Sequence, residues 1–571
     1  MRFRRSLAPC LALAFAQPAA GGPIFVDVAA EAGLDFQHFN GMSGEFYLVE
    51  NLGGGVALLD YDNDGDLDVY MAQGRMLGKD KTLEDAVTQP PKGPLTDRLY
   101  RNDLVMKDGE PSLRLTDVTE EAGIELDGYG MGVAVGDYDN DGYPDLYITQ
   151  YGPNRLLHNE GDGTFTEVSE AAGVADPRLG VSASFLDFDR DGRLDLYVGN
   201  YVAFSTEDNK VCYSPSSSRD YCSPRKYQEI PDRLYRNLGN GRFEDVSDVA
   251  GITREYGTAL GVIGADFDAD GWLDIYVGND GMANQLWMNQ GDGSFRNNAL
   301  MSGTAVNMEG VAEASMGVTA ADHDNDGDTD LFMTHLMGET NTVYVNNGDG
   351  WFQDRSVATD LASASKPYTA FGTGWFDYDN DGWLDLFAAN GAVNIILSLV
   401  KADDPYPLHQ PNQLFANTGD GGYRTVPVAE AGPPFELSFV SRGAAFGDLD
   451  NDGDTDIVVA NNNGPARVLQ NQIGARRHWL GLRLVGRHGR EALGARVRLT
   501  REQGPALWRR VHRDGSYASA SDPRVLFGLG DSTQVDAVQV HWPSGLVERW
   551  EDLKPDRYHR LREGEGQEVD S

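Results

Sequence analysis

At 571 residues the chain is too long for one ordinary hydrophobic core, which leaves several domains or one large repeat array. Its 89 acidic against 47 basic residues give a formal charge of −42, which excludes nucleic acid and anionic membrane surfaces as partners and favours cations. With 40% hydrophobic and 10% aromatic residues the chain has apolar surface enough to fold, so it is not a disordered acidic polymer.

Residues 1–20 read as a secretory signal: Arg2, Arg4 and Arg5, an apolar run from Leu7 to Phe15, then small residues at Ala16, Ala19 and Ala20. The expectation is a secreted or periplasmic protein, exported by a cleaved leader. No later run reaches the ~18 apolar residues of a membrane span.

From residue 24 to 472 one motif, D-x-D-x-D-G-x-x-D, is written seven times. Its invariant aspartates are Asp60, Asp62, Asp64 and Asp68, then Asp137, Asp139, Asp141 and Asp145, then Asp187, Asp189, Asp191 and Asp195. They continue as Asp266, Asp268, Asp270 and Asp274, then Asp322, Asp324, Asp326 and Asp330. The last two sets are Asp377, Asp379, Asp381 and Asp385, and Asp448, Asp450, Asp452 and Asp456. Apolar runs such as Gly132 to Gly136 before a loop and Leu146 to Ile148 after it place each loop in a β-hairpin.

A third strand ending in Asn follows, as in 154–159, 232–237, 284–289 and 412–417, and a G-D-G or G-N-G turn leads to a fourth. Seven four-stranded units predict an all-β chain closed as a seven-bladed β-propeller, with a linear stack of hairpins as the alternative. The seventh unit lacks a fourth strand, and Phe25-Val26-Asp27-Val28 matches what is missing. The N-terminal strand is therefore expected to complete the last blade and lock the ring.

Hard carboxylate oxygens at alternate positions around a turn glycine suit calcium, up to seven ions. The crowded carboxylates would otherwise repel one another. The seventh position varies freely, so it is expected to contribute a backbone carbonyl. Met71 at the twelfth position and strands on both sides exclude an EF-hand. His323, at a second position, reads as a plain surface residue, and His541 as structural.

Three connections on the face opposite the loops are long, at 73–96, 201–231 and 391–411. The middle one carries Cys212 and Cys222, read as a disulfide in an oxidising compartment, with free thiols as the alternative. It also carries Tyr213, Tyr221, Arg225, Lys226 and Tyr227, aromatic and basic groups suited to a sugar or an acidic polymer. Decorated surface loops without a ligand are the competing reading.

After about residue 473 the charge balance turns basic and the calcium motif stops; residues 473–566 read as a small β-domain with half-buried strands around Leu480 to Leu484, Ala495 to Leu499 and Val538 to Trp542. Its arginines, interleaved with Asp514, Asp522 and Asp536, read as an ordinary solvated surface.

The seven loops resemble FG-GAP or VCBS repeats, the family that builds integrin α-chain propellers. HWLGLRLVG, GARVRLT, DGSY, DPRVLFGLGD and VQVHWPSG resemble the ASPIC and UnbV domain of the cartilage acidic protein family, here of bacterial type. The resemblance implies an exported calcium-binding scaffold for adhesion to a cell-surface or matrix protein or a polysaccharide. The alternative is a glycan lyase or hydrolase, for which no G-x-S-x-G or H-E-x-x-H signature is present. The reading leans away from an enzyme, and no catalytic residue is assigned.

Overall fold

Seven times along the chain a strand of small and β-branched residues enters an aspartate loop and a second strand leaves it; two more follow as antiparallel neighbours in six of the seven, and one in the last. The computed structural model describes residues 22–107, 110–214, 217–404, 406–502 and 504–569. The expected leader at residues 1–20 lies outside them. Among the described residues there are seven four-stranded antiparallel sheets. The first runs Val56–Leu59, Asp68–Met71, Arg98–Asn102, Leu115–Asp117, each strand pairing with the next.

The last of these sheets joins the two ends of the repeat region. Phe25–Asp27 pairs antiparallel with Arg467–Asn471, Phe25 opposite Asn471, as expected from the missing fourth strand. The first strand of each sheet packs on the first strand of the next, and Ser441–Gly447 of the last packs on Val56–Leu59, so the sequence of neighbours is cyclic.

Two rings of hydrogen bonds run through this cycle. In the first, the Asn ending each third strand donates its side-chain amide to the carbonyl of the second loop residue in the preceding sheet. Asn159 reaches Tyr61 at 2.8 Å, Asn237 reaches Tyr138 at 2.7 Å, and Asn289 reaches Phe188 at 2.9 Å. Asn346 to Phe267, Asn417 to His323 and Asn471 to Tyr378 continue it, and Asn102 to Leu449 closes it at 2.9 Å. The recurring Asn therefore has a reason: it joins sheets rather than ending a strand.

In the second ring the fourth loop residue, held at positive φ, donates to the glycine carbonyl of the next loop. Asn63 reaches Gly142 at 2.9 Å, Asn140 reaches Gly192 at 3.2 Å, and Arg190 reaches Gly271. Asn325 to Gly382, Asn380 to Gly453 and Asn451 to Gly65 complete all but one link. The exception is Ala269, at φ 57° with no donor, and there Arg496 from beyond the repeats donates to Gly327 instead. Asn accepts this backbone conformation more readily than Ala. Ala269→Asn is expected to raise stability by roughly 1 kcal/mol in thermal unfolding; a lower melting temperature would contradict this account of the ring.

Beyond residue 473 a three-stranded sheet, Val525–Gly530, His478–Val485 and Tyr558–Arg562, packs with a five-stranded one led by Leu507–Arg510 and Arg496–Thr500. Leu480, Leu482, Val497, Leu499, Phe527 and Val540 fill the space between, together with residues of the repeats such as Leu194 and Leu196.

The segment 511–524 leaves this unit and enters the middle of the ring. Ala520 exchanges backbone hydrogen bonds with Val56 and Leu58, Ala518 accepts from Val133, Ser516 from Val318, and Asp522 donates to Phe446. Ala518 also donates to the Ser182 hydroxyl, Asp514 accepts from Gly264, and the Ser516 hydroxyl accepts from Thr373. All seven first strands are touched. Small residues there follow from this approach: a Cβ on Gly132 would lie 2.3 Å from the Val181 carbonyl and 2.8 Å from Ala518 Cβ.

Candidate metal centre and ligand face

Each aspartate loop is a chain of side-chain-to-backbone turns. In the second loop, Asp137 accepts from the Gly142 N–H at 2.9 Å, Asp139 from Asp141 at 3.2 Å, and Asp141 from Tyr143 at 2.9 Å. The ninth-position aspartate has two tasks: Asp145 accepts from Tyr138 N–H and from Asn159 N–H, holding the loop against the third strand. The other six loops repeat that pair of contacts, for instance at Asp68, Asp195 and Asp330.

These turns aim the remaining carboxylate oxygens at one another. Oxygens of Asp60, Asp62 and Asp68 lie within 4.8 Å of each other, as do those of Asp187, Asp189 and Asp195, and of Asp266, Asp268 and Asp274. Burial is the largest cause raising these acids, and neighbouring carboxylates add to it. Asp145, Asp322, Asp377 and Asp448 are pushed up to about 7, and Asp137, Asp187 and Asp266 to about 6. Oδ1 of Asp187, Asp266, Asp324 and Asp450 is buried without a hydrogen-bond partner. An all-oxygen cage with unpartnered acceptors fits a hard divalent cation.

One basic group in a loop was not foreseen. His158, on the third strand, sits 3.1 Å from Asp145 and 3.6 Å from Asp139, and its hydrogen bond to Asp145 holds it protonated up to about 9. His323 is not the surface residue expected: it is 1% exposed, stacked on Trp375, and burial lowers it to about 4. His541 packs against Trp508, a structural position.

Several arginines after residue 473 do not belong to a solvated surface either, whereas others such as Arg487, Arg498 and Arg562 remain exposed. Arg483 lies 3.4 Å from Asp60, Arg490 3.7 Å from Asp187, and Arg477 3.2 Å from Asp379. Arg524 donates to the Asp448 carbonyl at 2.7 Å, Arg509 to Gly382, and Tyr558 gives its hydroxyl proton to Asp448 at 2.8 Å. The acidic loop face attracts counter-charge, and the basic unit covers it. The reversal of charge balance near residue 473 was the available signal.

On the other face the three long connections meet, as expected, around residues 40–51. Val87 donates to Met42, Arg219 and Asn209 donate to Glu45, and Ile395 to Asp220. Cys212 and Cys222 form a disulfide. The proposed aromatic and basic platform is not assembled there. Tyr221 is buried with its hydroxyl on Glu50 at 2.9 Å, and Tyr227 is buried against Phe204. Tyr213 is 66% exposed, Lys226 is exposed, and Arg225 donates twice to the Gly281 carbonyl. Packing on Met42, Phe46 and Glu50 turned Tyr221 inward and packing on Phe204 did the same for Tyr227, so they offer a ligand no stacking surface.

A buried arginine fastens this face to the ring. Arg442, fully buried, donates to the carbonyls of Asn51, Gly391 and Ala392 and lies 4.0 Å over the Phe371 ring. No repeat or motif marked it in the sequence. Among the described residues no helix is long and apolar enough to cross a membrane.

Comparison with known proteins finds two family profiles in this chain. The FG-GAP-like repeat profile matches residues 137–198, 223–277, 266–333 and 322–388, and the ASPIC and UnbV profile matches 486–568. Cartilage acidic protein 1 of Xenopus tropicalis is 26% identical over 48% of this chain and 40% of its own length. The Homo sapiens protein is 25% identical over 53% of this chain and 43% of its own length. The matched region thus spans under half of those relatives. Similar solved structures include an Agrocybe aegerita lectin described as recognising non-reducing terminal N-acetylglucosamine, with 18% identity, 66% of this chain, 90% of that chain and TM-score 0.38. Another is YCF48 bound to D1 peptide, with 9% identity, 80% of this chain, 100% of that chain and TM-score 0.40. At that level of likeness neither ligand transfers.

Proposed function

Because this chain belongs to the FG-GAP repeat proteins that carry an ASPIC and UnbV domain and is related to cartilage acidic protein, we propose that it is a seven-bladed, calcium-loaded β-propeller acting outside the cytoplasm as a binding scaffold. The carrying observation is the division of its two faces. One is occupied by aspartate loops and their arginine cover, and the other gathers every long connection. Calcium held in the cages supplies the charge that keeps crowded carboxylates in place, so its part is architectural. Extracellular modules of this kind hold calcium at about 10⁻⁴ to 10⁻³ M, which suits an exported protein.

The partner class is a cell-surface or matrix protein, or a polysaccharide, met by the connection face. The test is retention of the calcium-saturated protein on arrays of matrix proteins and polysaccharides, with the mass of each recovered glycan read afterwards. Calcium-dependent retention with unchanged glycan is the expected result. A converted glycan would make the protein an enzyme, and no retention on either array would remove the scaffold reading.

A further inference from the structure

At the centre of the connection face the axis of the ring opens into a cavity of about 270 Å³. Its inner end is closed by the segment that enters from the opposite side. Tyr517 stands edge-on to Phe371 with ring centres 4.8 Å apart and donates its hydroxyl to Leu52, leaving Phe371, Met316 and Leu260 as an apolar floor. The cavity is therefore a blind pocket rather than a channel.

Its polar lining consists largely of acceptors. Asp280 takes the Tyr201 hydroxyl proton at 2.5 Å and keeps further lone pairs. Glu339 accepts from Ala314 at 3.0 Å and Leu336 at 3.3 Å with one oxygen, Oε2. The two carboxylates are near enough to raise Asp280, which burial first pushes up to about 6. Two cations lie near the pocket: Arg225 has two of its N–H groups on the Gly281 carbonyl, at 3.2 and 2.8 Å, and Arg442, 4.0 Å over the Phe371 ring, spends its N–H groups on the carbonyls of Asn51, Gly391 and Ala392. Independently of the acids, Asn51 is 2% exposed and spends its amide N–H on Val393 at 3.1 Å, while its Oδ1 has no partner. A buried, unpartnered acceptor in a cavity wall costs free energy unless a ligand donates to it.

We propose that this pocket binds a small organic cation: an ammonium group on a compact apolar body, its N–H donors shared among Asn51, Asp280 and Glu339 and its body on Phe371 and Met316. An anion is refused by the two carboxylates. A neutral alcohol satisfies one acceptor and leaves the charge unanswered. The space is many times what a single water needs, so it admits a compact organic body. The pocket stands on its own geometry and needs no assumption about calcium or about the protein's partners.

The probe is 2-phenylethylammonium, titrated into the full calcium-saturated chain by calorimetry and ligand-observed NMR. The uncharged 2-phenylethanol and the anionic 3-phenylpropionate serve as controls. Saturable 1:1 binding of the ammonium is expected, at least about tenfold tighter than the alcohol, with the anion silent. Glu339→Gln and Asp280→Asn should each weaken it about tenfold or more, and Met316→Trp should abolish it. The melting temperature of each variant reports folding, and a second neutralised position keeps the test open if one variant unfolds. Equal affinity for ammonium and alcohol, no binding to the folded protein, or binding unmoved by the substitutions would overturn the proposal. Retention on extracellular partners without ammonium binding would sink the pocket alone.

Discussion

Chelating divalent cations should lower the melting temperature by about 10 °C or more, and should make stability fall as pH rises from 5 to 8. If each loop holds calcium at about tenfold above its dissociation constant, a site adds roughly 1.4 kcal/mol, and the loops together add on the order of 10 kcal/mol. Spread over an unfolding entropy of about 2 cal/mol/K for every residue of the repeats, that is near 10 °C. The pH effect follows from the acids. In the chelated protein Asp145, Asp322, Asp377 and Asp448 are raised to about 7 by burial, so folding takes up protons that the unfolded chain, near the usual carboxylate value, releases. A raised folded value gives a contribution that is complete below the unfolded value and lost as pH rises through the folded one. The chelated protein should therefore melt higher at pH 5 than at pH 8. The calcium-saturated protein should hold its stability over that window, because the ion replaces the proton. A scan of melting temperature against pH with and without chelator reads both effects. A melt indifferent to chelator would remove calcium from the loops.

Ala518→Leu should destabilise the whole ring by about 1–3 kcal/mol or more. Ala518 lies where the first strands converge: its carbonyl accepts from Val133, its N–H donates to Ser182, and its Cβ faces Gly132 at a distance that already forbids another side chain there. Three further carbons have nowhere to go in such packing, so the segment 511–524 must shift. The shift would also release the contacts through Asp514, Ser516 and Ala520. Thermal unfolding and limited proteolysis at Arg513 and Arg524 should change together, since Arg513 donates to Leu58 and Arg524 to Asp448 only while the segment is seated. If the C-terminal unit were merely tethered to the repeats, the substitution would fall on an exposed loop and leave the melt unchanged. That outcome would refute the central plug.

Part of this could be read directly from residues because it is local. The D-x-D-x-D-G-x-x-D loops, the strands on either side and the glycine turns are set by neighbours within about ten residues, and repetition made each reading a check on the others. Even the joining of Phe25–Asp27 to Arg467–Asn471 was legible, as a fourth strand missing from one end and present at the other. The same repetition displayed the Asn at the end of each third strand without its purpose, because its acceptor lies in a different sheet, 98 positions away between Asn159 and Tyr61.

Tertiary structure decided the rest. Residues 511–524 have no periodicity that distinguishes a loop in water from a plug in a ring. Their partners, such as Leu58 and Val133, are hundreds of positions distant in the chain. The arginines looked like ordinary surface because their meaning depends on the acidic face they meet, and Tyr221 and Tyr227 looked like a ligand platform until Glu50 and Phe204 respectively packed against them. Local sequence specifies which groups a loop carries; what each group faces is settled only when distant segments pack and the buried polar atoms find, or fail to find, a partner.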